Sequence, residues 1–156
     1  SKVENYSSQD YKISFEYLSD YILLDRASGP GEMPQMAIVM VENTQRNRDI
    51  LDGKVAEVGD GPTTITVDIF KNASGISSED WVKANTDWIT TGKLKEPVKI
   101  SEKDGLTYFW DGLYAGKSSV INTGEYIYVF SVTWITPEDQ MVKDFESLLN
   151  SVKFLN

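Results

Sequence analysis

The sequence predicts an α+β fold, a largely antiparallel sheet with two helices packed on its faces. Three observations carry this. Apolar and polar residues alternate with period two in several short segments. Most of these segments are separated by tight-turn pairs rich in Gly, Asn and Asp, which favours hairpins over crossovers. Two segments instead place apolar residues three and four apart, each behind a helix-start signal. The predicted order is β-β-β-β-α-(β)-β-β-β-α-β.

Tyr11, Ile13, Phe15 and Tyr17 alternate with polar residues and predict the first strand. Leu18-Ser19-Asp20 turns the chain into a second strand from Tyr21 to Leu24. Gly29-Pro30-Gly31 and Pro34 break it. Ala37 to Glu42 is an apolar run of strand length, expected to be buried on both faces. Residues 43–62 are the least regular, with short local structure expected around Arg48 to Val58. Thr64 to Phe70 is the clearest strand, with Ile65, Val67 and Ile69 on one face.

A helix follows, capped by Ser77 with Asp80 at the return position and ended by Gly92. Trp81, Ala84, Asn85 and Trp88 share its stripe, which reads as a lid on the sheet rather than an exposed ridge. Pro97 to Ile100 is a further strand. Asp104-Gly105, Ala115-Gly116-Lys117 and Asn122-Thr123-Gly124-Glu125 predict the turns around strands at 106–114, 118–122 and 126–135. Thr136-Pro137-Glu138-Asp139 predicts the last helix start, followed by the stripe Met141, Val142, Phe145, Leu148 and Leu149. Residues 151–155 close the chain as a short strand.

A length of 156 residues suggests one domain, spanning 11–156. Residues 1–10 are polar and aperiodic and read as a tether left after removal of a signal peptide; a tag scar explains Ser1 equally well. No apolar run is long enough to span a bilayer. The net charge of −9 disfavours nucleic acid as a partner. The chain has no Cys and no His. That excludes thiol and Ser-His-Asp catalysis, disulfides, thiolate metal sites and the usual zinc and copper sites.

Several phrases together resemble the PsbP-like family. "YKISFEYLSDYILLD" is similar to the family's opening, where an aromatic-rich strand meets a "YPSDW"-like turn; here Leu18 stands for the Pro and Tyr21 for the Trp. "GDGPTTITVDIFKN" with "SSEDWVKANT" resembles its strand-then-helix segment. "DFESLLNSVKF" resembles its closing helix and strand, with Ser151-Val152-Lys153-Phe154 at the usual Ser-Phe-x-Phe ending. The resemblance spans Tyr11 to Phe154 and implies the Mog1/PsbP α-β-α sandwich. It further implies a secreted or periplasmic setting, membrane tethering through a lipoprotein-type anchor, and no enzymatic activity or cofactor. Photosynthetic relatives are accessory proteins of photosystem II that help retain calcium and chloride, and the Mog1 branch binds protein. Zinc sites of some relatives need His, so no metal residue carries over. The basic docking segment of the plant proteins is also missing, which points to the general bacterial branch.

The expected function is thus a non-catalytic binding or accessory module of the bacterial envelope with a protein partner. The candidate contact surface is Tyr108, Trp110, Tyr126 and Tyr128, because Tyr and Trp combine area, stiffness and a polar handle. Burial of these strands on both faces is the competing reading. An alternative is a calcium-binding protein using Asp49, Asp52, Glu57 and Asp60 on the irregular loop, since calcium takes oxygen ligands. A third is a hydrolase with Asp104 and Asp111 as a carboxylate pair.

Overall fold

The computed structural model describes residues 1–27, 34–56, 59–86 and 95–156. The expected break at Gly29-Pro30-Gly31, the ring of Trp88 and the helix stop at Gly92 lie outside the described residues.

The chain runs β1 (Val3–Ser8), β2 (Ile13–Leu18), β3 (Tyr21–Ala27), β4 (Met36–Glu42), α1 (Gln45–Leu51), β5 (Ile65–Lys71) and α2 (Ser78–Thr86). Then follow β6 (Lys95–Ile100), β7 (Lys103–Asp111), β8 (Ala115–Asn122), β9 (Tyr126–Trp134), α3 (Gln140–Ser151) and β10 (Lys153–Phe154). The large sheet has seven strands in the order β3-β4-β5-β9-β8-β7-β6, and a small sheet has the order β1-β2-β10. Every strand pair in both sheets is antiparallel. The α+β class and the hairpin-dominated sheet read from the sequence are therefore present.

The period-two pattern sends alternate residues of each strand to opposite faces. One face of the large sheet carries Ile38, Met40, Val67, Ile69, Tyr128 and Phe130 into the main core. There α3 contributes Met141, Phe145, Leu148 and Leu149, and β2 of the small sheet contributes Ile13 and Phe15. The other face carries Tyr108, Val120, Ile127 and Val129 against Trp81 and Val82 of α2. Ser77 caps α2, its hydroxyl accepting from the Asp80 N–H at 3.1 Å. Trp81 is buried as a lid should be, but Ala84 faces solvent and Val82 takes the inner position.

Several local expectations change. Residues 3–8, read as part of a tether, form β1 and pair along all of β2. Tyr6 stacks on Phe15 with ring centroids 5.2 Å apart, which gives this polar segment an apolar anchor. The turn before β7 falls at Ser101–Glu102, both with positive φ, while Asp104-Gly105 lies within β7. The next turn is at residues 112–114, and Gly116 lies within β8. Thr136 does not cap α3. The Asp139 carboxylate accepts from the Ile135 and Thr136 N–H groups and the Thr136 hydroxyl, closing a turn that delays the helix to Gln140. Ala37 to Glu42 was expected to be buried on both faces. Only Ile38, Met40 and Val41 are buried, because α2 covers the β7–β8 side of its face and leaves the β3–β4 side half open. Among the described residues no helix is long and apolar enough to cross a membrane.

Candidate functional site

Strand β5 reads Ile-Thr-Val-Asp-Ile-Phe-Lys. With Ile65, Val67 and Ile69 committed to the main core, Thr66, Asp68 and Phe70 must point to the α2 face. Asp68 stands opposite Ala37 of β4 and Val129 of β9, in the middle of the sheet. It lines a cleft of about 450 Å³ between α2 and the sheet. Phe70, Trp81, Tyr108 and Trp110 supply the walls, and Ser118 and Ser131 lie on its floor. The Phe70 and Trp81 rings are tilted at 52° with centroids 5.2 Å apart.

Trp110 owes its place to Gly116. A Cβ added at Gly116 would lie 2.5–2.9 Å from three atoms of the indole, so only glycine lets the ring lie against the neighbouring strand. The Trp110 Nε1–H donates to Ser118 Oγ at 3.1 Å, and the Ser118 and Ser131 hydroxyls share a hydrogen bond of 2.6 Å. The polar groups of the floor therefore satisfy one another.

Asp68 differs from them. Among the described residues no cation and no hydrogen-bond donor pairs with its carboxylate. Burial alone raises its pKa from the usual carboxylate value to about 6. The Tyr108 hydroxyl is also raised, first by burial, against a hydrogen bond with Ser118 that lowers it, and then by the Asp68 charge.

Among solved structures, the chain is similar to the cyanobacterial PsbP of Synechocystis sp. PCC 6803, with a TM-score of 0.60 and 14% identity over 97% of this chain and 92% of that one. The fold is PsbP-like. A crystal structure from Bacteroides thetaiotaomicron VPI-5482 is similar over 97% of this chain, with a TM-score of 0.57 and 17% identity. The match covers 48% of that longer chain. No family model and no curated protein sequence matches.

The PsbP-like sandwich explains why the four aromatic residues expected to form one surface do not. Tyr108 and Tyr128 are only 4% and 1% exposed, and they lie on opposite faces of the large sheet. The large sheet is covered on one face by α3, packed at β9, and on the other by α2, packed at β7 and β8. Tyr128 donates its hydroxyl to the Tyr11 carbonyl at 2.6 Å, and burial pushes its pKa to about 12. Tyr126 is half-buried beside Tyr11, with ring centroids 5.7 Å apart, and ties the small sheet to the large one. Of the four, Trp110 alone keeps a half-buried ring in the cleft; Tyr108 contributes to its wall.

Among the described residues neither alternative site assembles. Asp49 sits in α1 and accepts from Gln45 Nε2 at 2.8 Å, and Asp52 caps that helix. Glu57 lies outside the described residues. Among those described, no group of three or more acidic side chains could hold a metal ion. Asp104 and Asp111 lie seven residues apart along β7, roughly 23 Å at strand rise. A glycosidase pair needs about 5–9.5 Å. Asp104 instead bridges Lys99 at 3.0 Å on the exposed edge hairpin.

Asp68, Phe70, Ser118 and Ser131 were not foreseen as neighbours. One signal was present: a charged residue at the centre of the clearest strand, in a sheet expected to carry a helix on each face. Such a charge is either solvated at a gap or costly.

Proposed function

We propose that the chain is a non-catalytic binding module of the bacterial envelope whose contact site is the aromatic cleft around Asp68. The observation that carries this is a half-buried carboxylate with no partner among the described residues, in a cleft lined by Phe70 and Trp110. An ionisable group desolvated without an internal partner costs stability, and such groups cluster where a ligand supplies the missing interaction. The envelope setting, the lipid anchor and a protein partner rest on the sequence resemblance to PsbP-like proteins.

A raised carboxylate also suits a general acid, so a hydrolase is the second reading. It is disfavoured by the company Asp68 keeps. Among the described residues lining the cleft there is no second carboxylate, and both serine hydroxyls are engaged with each other. Recognition needs one charge and apolar walls; glycoside hydrolysis needs two carboxylates.

The test is affinity capture from the source organism's envelope extract with the intact domain and with a folded Trp110→Ala variant. Material retained by the intact domain and lost with Trp110→Ala supports the cleft. Equal retention by both moves the contact site elsewhere.

A further inference from the structure

We infer that the cleft binds a quaternary ammonium group, with Asp68 as counter-ion and the Phe70 and Trp110 rings as its apolar contacts. This rests on the reading of the cleft as the contact site and names the chemistry of what it holds. Charge comes first. Among the described residues lining the cleft Asp68 is the one that carries a charge, so no Lys or Arg there neutralises it, and the whole chain carries −9. A cation is therefore both steered to the cleft and paired once inside it.

Hydrogen-bonding capacity then selects among cations. A primary ammonium brings three N–H donors and a guanidinium five, and each needs an acceptor once desolvated. Among the described lining residues Asp68 is the one ionised acceptor; Asn85, whose NH2 donates to the Trp81 carbonyl, adds a neutral amide oxygen. The Trp110 N–H is spent on Ser118, whose hydroxyl is shared with Ser131. A bare metal ion requires six or more oxygens, or several carboxylates, and none converge here among the described residues. An alkylated ammonium has no N–H to satisfy. Its methyl groups pack on ring faces, where a cation is attracted to the negative face of an indole or phenyl. The volume, about 450 Å³, exceeds that of a choline-sized head and leaves room for a substituent.

The experiment titrates the intact domain at pH 8 with choline and with 3,3-dimethylbutan-1-ol, its neutral isostere, following the Trp110 indole N–H by NMR. The same titrations are run on Asp68→Asn. That variant keeps the shape of the side chain and should fold at least as well, since it removes a desolvated charge. Saturable shifts with choline, at least about tenfold weaker binding of the isostere and a similar loss in Asp68→Asn are expected. Equal binding of choline and isostere, or undiminished choline binding by Asp68→Asn, would overturn the cation assignment while leaving the cleft as a binding site. Absence of any cleft response to choline would also overturn it. The cleft reading itself fails if Trp110→Ala captures the same envelope material as the intact domain.

Discussion

Asp68 makes the molecule pH-sensitive in a defined direction. Its pKa in the folded state, about 6, lies above the ordinary value of 3.8. The folded state thus binds the proton more tightly than the unfolded one. Stability from this group is fully present below about pH 4 and is lost as pH rises through 6. Asp68→Asn should therefore be more stable than the parent by about 1–2 kcal/mol at pH 8, with the difference vanishing near pH 4. Urea unfolding at the two pH values measures this. Gly116 acts by its lack of a side chain. Gly116→Ala should evict the Trp110 indole, break its bond to Ser118 and cost about 1–3 kcal/mol, visible as a lower urea midpoint and a shifted tryptophan emission. Trp110 could be picked out from the sequence as an aromatic on a two-faced strand. Its partners could not, because the register that sets Gly116 under it comes from the β7–β8 turn at residues 112–114.

At the scale of elements, most strands could be read, and so could the turns at Ser19-Asp20 and Thr123-Gly124-Glu125; the two turns flanking β7 could not. Alternation is a property of the strand's own residues, whereas a turn position depends on pairing. Gly105 looked like a turn residue, yet a Cβ there would meet the Val120 carbonyl oxygen at 2.0 Å. It is a glycine of close approach, and the hairpin turns three residues earlier. The N-terminal signals of the two longer helices illustrate the same contrast. Ser77 caps α2 as predicted, and Ser77→Ala should cost about 1 kcal/mol in thermal or urea unfolding. The Thr136-Pro137 signal fails because Asp139 spends its carboxylate on upstream N–H groups. The Thr136 hydroxyl first, and then those N–H groups, hold its pKa below the usual carboxylate value. The stripe of α3 is correct all the same, since Phe145, Leu148 and Leu149 are buried in the core. Phe145→Ala should destabilise by about 3–5 kcal/mol.

At the scale of the whole molecule, the chain ends are joined. β2 lies between β1 and β10, so the first and last strands share one small sheet over the main core. The polar sequence of residues 1–10 hid this, because only Tyr6 of β1 packs on the core from an otherwise solvent-facing strand. Deleting residues 1–8 should lower stability by about 2 kcal/mol or more, by exposing Phe15 and the outer edge of β2. A freely tethered segment would be removed without effect. The overall order of strands and helices was legible because each is encoded locally. The cleft was not, because it arises where α2 covers only part of a seven-stranded face, a matter of relative size that no local pattern records.

The most direct test of the account is the pH titration of the Asp68 side-chain carboxyl by carbon-detected NMR, with Asp68→Asn to assign the signal. A midpoint about 6, reported at the same pH by the neighbouring Trp110 indole, is the predicted result. A midpoint near the ordinary value of 3.8 would mean that the carboxylate is well solvated or already paired, and the cleft would lose the feature that marks it as a binding site.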